Sequence, residues 1–230
     1  MKLLLFDAGP VISLTTNNLL WLTPKLREKF GGDFAITSGV HYELVQKPLE
    51  TKKFKFEAIQ VQRMVEHKVF TVLNAPAIHA TALKLLNIAN TIFHVRKQPL
   101  VIVQLGEMET IAAAMQFNAS AIVCDERITR TLIEDPHALR ELYERRLHEK
   151  VEMNENALRD FQKEVKAIKI IRSVELVALA FELGLLDEFV VNVPNAKREL
   201  LDSILWGVKL HGAAVGEDEI AEIIKTELKK

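Results

Sequence analysis

Six carboxylates carry the chemistry for which this chain can be read. Asp7 directly follows the apolar run at residues 2–6. Glu43 lies in the segment ITSGVHYEL. Glu107 and Glu109 stand two apart in LGEMETIAAA, and Asp125 and Glu126 are neighbours in IVCDERITR. Carboxylates gathered without counter-charges repel one another and raise each other's pKa. A hard divalent cation removes that cost, and oxygen-only ligands with retained waters select Mg2+ or Mn2+ over Zn2+. Such an ion in an open site activates a water, neutralises a phosphate and stabilises a leaving oxygen, which is phosphodiester chemistry. The other motif classes are missing. None of the seven histidines falls in HExxH spacing, Cys124 has no CxxC partner, and neither GxxxxGK[ST] nor GxGxxG is present.

Positioning these acids requires a sheet. The run at 2–6 is continuously apolar after one charge, the pattern of a buried parallel strand. Further strands are expected at 34–36, 69–73 and 121–124. Helices are expected to start near Val11, after Thr37 or Ser38, at Pro76 and at Gly106. Residues 100–105 read either as a short strand or as the lead-in to the last of these helices. Strands alternating with helices argue for an α/β fold, with a central parallel sheet of four to five strands flanked by helices. In such a sheet the residues just past the strand C-termini converge on the ligand crevice. Asp7 and Asp125 occupy that place, while Glu43 and Glu109 open helices. Each acid alone also has an ordinary explanation: Asp7 as a turn or N-cap residue, Glu43 as solvated helix surface.

Beyond Pro136 the pattern changes. Residues 1–135 form the expected core and 136–230 a helical extension. A charged helical segment without strand signal covers about 137–172, followed by apolar helices that pack on the core or form a small lobe. Gly184 is the expected left-handed cap of the first apolar helix. Arg159, Lys163, Lys166, Lys169 and Arg172 recur at helical spacing as a basic stripe, either a solvated face or a nucleic-acid contact.

The formal net charge of −1 leaves any nucleic-acid binding to local basic surface. One cysteine excludes an intramolecular disulfide and suits a reducing compartment. No apolar run approaches the roughly 18 residues of a membrane span. The expectation is a cytoplasmic protein without a membrane partner.

Four segments resemble the PIN-domain nuclease family: LLLFDAGPVISL with Asp7, ITSGVHYEL with Val40 three before Glu43, LGEMETIAAA, and IVCDERITR with Arg127 and Arg130. The last two are similar to the archaeal branch, and the tail from Val174 resembles that of archaeal members. The likeness spans about the first 135 residues. It implies a metal-dependent endoribonuclease acting on single-stranded RNA, of the RNA-processing or toxin type. Asp7, Glu43, Glu109 and Asp125 would hold one or two Mg2+ or Mn2+. It also implies a possible homodimer and an antitoxin or other protein partner. Within the site, Glu109 heads a small-residue face with Ala112 and Ala113 and is expected to point to the sheet end. Glu107 and Glu126 are the reserves, and Ser13 is a candidate supporting hydroxyl. Arg127, Arg130, Lys163 and Lys166 are the expected RNA contacts.

The chain departs from the family at two places. Gly9 stands where many members carry a hydroxyl residue two after the first acid, and Cys124 where a Thr or Ser often sits. These losses leave room for an inactive scaffold of the same fold that binds RNA or protein. A phosphatase using Asp7 as nucleophile would want an acid at position 9, where Gly9 stands.

Overall fold

The computed structural model describes residues 2–229. Its main sheet has five parallel strands in the order β3-β2-β1-β6-β8: β1 (Leu3–Phe6), β2 (Asp33–Thr37), β3 (Phe70–Leu73), β6 (Ala121–Val123) and β8 (Ile170–Ile171). A small antiparallel sheet, β5-β4-β7, is built from β4 (Phe93–Val95), β5 (Gln98–Pro99) and β7 (Glu152–Met153).

The helices in chain order are α1 (Ala8–Thr16), α2 (Leu22–Phe30), α3 (Ser38–His41), α4 (Lys47–Leu49), α5 (Lys55–Glu66), α6 (Pro76–Ala89) and α7 (Leu105–Gln116). They continue with α8 (Arg127–Glu134), α9 (Pro136–Leu147), α10 (Glu155–Val165), α11 (Ser173–Glu182), α12 (Ala196–Leu210) and α13 (Glu217–Glu227). One π-helical turn, Tyr42–Gln46, joins α3 to α4. Among the described residues no helix is long and apolar enough to cross a membrane.

Strand alternation sorts the core into two layers, one per sheet face. Leu4, Phe6, Phe34, Ile36, Phe70 and Val123 face one cluster, which α1, α2, α11, α12 and α13 complete. Leu3, Leu5, Ala35, Ile122 and Cys124 face the other, covered by α6, α7 and α10. Both faces are therefore sealed, which explains why β1 is buried at every position and reads as unbroken apolar sequence. Phe6 anchors the first layer, 4.9 Å from the Phe34 ring and 5.2 Å from Phe70.

The stretch 137–172 is not wholly helical. It contains β7 and β8, and β8 pairs in parallel with β6 to complete the main sheet. Ile168, Lys169 and Ile170 alternate apolar and charged, the strand signal that the surrounding lysines masked. The C-terminal helices pack on the sheet beside α1. Residues 100–104 form no strand and lead into α7. Gly184 adopts the expected left-handed conformation past α11, with φ 69.

Chain order reverses between β1 and β6: β2 and β3 lie on one side of β1, and the later strands on the other. That switch point is where an open α/β sheet leaves a crevice beyond its strand C-termini.

Candidate functional site

The crevice is a cleft of about 330 Å3, lined by Asp7, Glu43, Glu107, Asp125 and Glu126 together with Gly9, Gly106 and Gly212. Among the described residues no lysine or arginine contributes to its walls. Asp7 is set by β1: its backbone N–H donates to the Val123 carbonyl at 2.9 Å, which stitches the first acid to the neighbouring strand. Its carboxylate makes no regular N-cap bond to α1, and of that helix's amides only the Ala8 backbone N–H pulls its pKa down. Burial pushes the Asp7 carboxyl up to about 6, with added repulsion from Glu43 and Asp125.

Asp125 follows β6 and is almost fully buried. The Ser173 backbone N–H donates to Oδ1 at 2.8 Å, and the Ser173 hydroxyl donates to Oδ2 at 2.6 Å. Ser13 stands 3.3 Å from Oδ2 and 3.3 Å from the His211 carbonyl, so its proton serves one or the other. Burial raises the Asp125 carboxyl above the usual range, and the serine bonds pull it back.

The hydroxyls expected near the acids are thus present at other positions. Gly9 has no side chain, and a Cβ there would lie 3.6 Å from the Asp125 Cβ. Ser13, one turn further along α1, supplies one hydroxyl, and Ser173 another. Cys124 takes the remaining place, with its thiol 3.6 Å from Asp7 Oδ2. Burial pushes that thiol far above its ordinary range, so it acts as a weak donor.

Glu107 and Glu109 lie in different surroundings. Glu107 lines the cleft, and its Oε2 accepts from the Gln104 backbone N–H at 2.7 Å. Burial pushes its carboxyl up to about 7, and the charges of Asp7 and Glu126 add to the shift. Glu109 lies outside the cleft lining. Its Oε1 pairs with His79 Nδ1 at 2.8 Å, and its Oε2 sits against Gly39, where a Cβ would collide with it. Two residues along a helix turn a side chain by about 200°. Which acid faces the sheet end is therefore decided by where α7 begins, at Leu105, not by the small-residue face.

Glu43 is exposed in the π-helical turn and borders the cleft. Glu126 also borders it, while its Oε1 accepts from the Ile128 backbone N–H at 3.2 Å as the cap of α8. Behind the floor, Thr129 lines a small cavity with Asp7 and Glu107. Its buried hydroxyl makes no hydrogen bond of regular geometry among the described residues, but it lies close enough to Glu107 to pull that carboxyl's pKa back. Neither Ser173 nor Thr129 stands out in the sequence. Ser173 stands two residues after the two-isoleucine strand β8, as Asp125 stands two after β6, which is the signal that could have found it.

Of the expected RNA contacts, Arg127 is exposed beside the cleft and Arg130 pairs with Glu134 at 3.4 Å. Lys163 and Lys166 border a second groove with Arg159, Ile133 and Glu134. Helix α8 connects the two, from Arg127 at the cleft to Ile133 and Glu134 at the groove, a span of about 10 Å at 1.5 Å per residue. Arg172 does not belong to the stripe. It is 8% exposed and bonds Glu175 at 2.7 Å and Glu219 at 3.0 Å, tying α11 to α13.

Among the described residues no three acidic, histidine or cysteine side chains stand close enough to chelate one ion. The donors still suit a water-rich ion. Mg2+ keeps several waters and takes only one or two carboxylates, and among the described residues no lysine or arginine in the cleft lining neutralises Asp7, Glu107 or Glu43.

A scan against protein-family models finds no matching family, and searches of curated proteins and of solved structures find no match. The likeness to PIN-domain nucleases therefore rests on the sequence alone.

Proposed function

We propose that the protein is a Mg2+- or Mn2+-dependent endoribonuclease that hydrolyses phosphodiester bonds in single-stranded RNA. One observation carries the reading: five carboxylates line a cleft at the topological switch point, and among the described residues no basic side chain lines it with them. A phosphate entering such a cleft needs a cation between itself and the acids. When bound, the ion would neutralise the phosphate and lower the pKa of a coordinated water. Asp7 and Glu107 would hold it, with Glu43 at the open side and Asp125 oriented through Ser173 and Ser13. The four segments similar to PIN-domain nucleases direct the substrate class to RNA. An RNA-processing or toxin-like role, acting in the cytoplasm alone or with a protein partner or second copy, follows from the same resemblance. Exposed Arg127 and the groove at Lys163 and Lys166 would take up the flanking backbone.

A second reading is favoured by one specific contact set. Both oxygens of Asp125 are engaged by Ser173, which leaves the fourth acid less free to bind an ion and suits a scaffold that keeps the fold without the chemistry. Purified protein incubated with single-stranded RNA, with Mn2+ and with EDTA, separates the two. Cleavage that appears with Mn2+ and stops with EDTA supports the nuclease. Calorimetry showing no Mn2+ uptake, with RNA affinity that survives Asp125→Asn, supports the scaffold.

A further inference from the structure

Next to the acid cleft lies a second cavity of about 440 Å3, mostly apolar, and Glu43 belongs to the walls of both. The two are joined along α1. Gly9 faces the acids, while Ile12 and Thr16, three and seven residues on, line the apolar pocket. These positions share one helix face, so the floor is continuous over about 10 Å. The opposite wall repeats the pattern, from Val40 and Glu43 at the cleft to Leu44 and Lys47 at the pocket.

Phe54, 47% exposed, also lines this cavity. Phe54 is held in the left-handed region, φ 61, a conformation that a bulky residue rarely adopts. The Lys53 ammonium sits 4.6 Å from its ring centroid. Among the described residues neither Lys47 nor Lys53 has an ion-pair partner in any of the salt bridges.

The geometry points to a nucleobase subsite: a base of single-stranded RNA, adjacent to the scissile phosphate, stacks on Phe54 while Lys47 and Lys53 meet its phosphates. This rests on the nuclease reading of the cleft for the identity of the strand. Base stacking on an aromatic ring beside cations is the general mode of single-strand binding. Hydroxyls in the lining support a sequence-tolerant version. Thr15, Thr16 and Thr51 each donate to a backbone carbonyl, of Val11 at 2.6 Å, Ile12 at 2.8 Å and Pro48 at 3.1 Å. They keep no proton for reading base edges. Among the described residues Glu57 is the one acid in the lining besides Glu43, set against Lys47 and Lys53.

The test titrates the full chain with a single-stranded RNA oligonucleotide carrying one fluorescent 2-aminopurine, in EDTA and separately in Mn2+, with cleavage followed in the latter. Wild type should quench the fluorescence. Phe54→Ala should lose the quench and weaken binding roughly tenfold, and Phe54→Trp should keep both. Lys47→Gln with Lys53→Gln should flatten the salt dependence. If Mn2+ supports cleavage but Phe54→Ala changes neither quench nor affinity, the subsite is refuted and the nuclease reading stands. If no cleavage occurs but binding stays sensitive to Phe54→Ala, the subsite stands and the nuclease reading falls. No RNA binding at all, or an apolar peptide that fills the pocket without displacing RNA, overturns the subsite.

Discussion

Ser173 grips both oxygens of Asp125, with its backbone N–H 2.8 Å from one and its hydroxyl 2.6 Å from the other, across 48 residues of chain. A buried carboxylate held this way depends on its donor. Removing the hydroxyl by Ser173→Ala costs about 2 kcal/mol, because hydrogen bonds to charged groups contribute roughly 1.5–3. Urea denaturation at neutral pH measures it, and a loss below about 0.5 kcal/mol would show that Ser13 alone suffices.

Asp7 makes metal-free stability depend on pH in a direction unusual for a carboxylate. Its folded pKa of about 6 lies above the ordinary value of 3.8. Between those values the folded state binds more protons than the unfolded state. Stability from this group therefore falls as pH rises from about 4 to 6 and stays reduced above that. Asp7→Asn removes the cost, stabilising the metal-free protein by on the order of 1–3 kcal/mol at pH 7.5 and by nearly nothing at pH 4. Paired denaturation curves at the two pH values check it; an equal gain at both would refute the assignment.

Glu107 and Glu109 should behave oppositely when neutralised. Glu107→Gln is expected to lower RNA cleavage at least a hundredfold, the scale of losing a positioned group in the reaction. Glu109→Gln should leave the rate within a few-fold, since that acid is paired with His79 outside the cleft. Initial rates in Mn2+ with both variants decide the matter.

Lys163 and Lys166 are expected to act through charge alone. Replacing both by Gln should weaken RNA binding uniformly across sequences and reduce the slope of log affinity against log salt by about 0.7 for each phosphate left without its lysine. Filter-binding isotherms at several salt concentrations give that slope, and an unchanged slope would place RNA elsewhere on the surface.

Much of the frame is legible in the sequence. Strands β1, β2, β3 and β6 announce themselves as apolar runs, and Asp7 and Asp125 stand at their ends as expected. Thr37 caps α3 through Val40 N–H as its position suggests. What escapes are relations that local pattern does not encode. β8 is two isoleucines within a lysine-rich run, too short for its period to stand out. Ser173 matters through a partner 48 residues earlier. The choice between Glu107 and Glu109 turns on the rotation of α7, which the Gln104 cap fixes and composition does not. Arg172 matches the basic stripe by spacing, but α10 ends at Val165 and the chain turns inward.

The contact between Ser173 and Asp125, with Gly212 at the cleft rim, sets an order on biosynthesis. The ribosome makes Asp7, Glu43, Glu107 and Asp125 first, yet the serine that orients the last acid arrives almost fifty residues later. The rim at Gly212 follows nearly forty residues after that. N-terminal segments otherwise fold as they emerge. Here a half-made chain carries the acids on an unfinished sheet, with β6 as an exposed edge and the cleft still open.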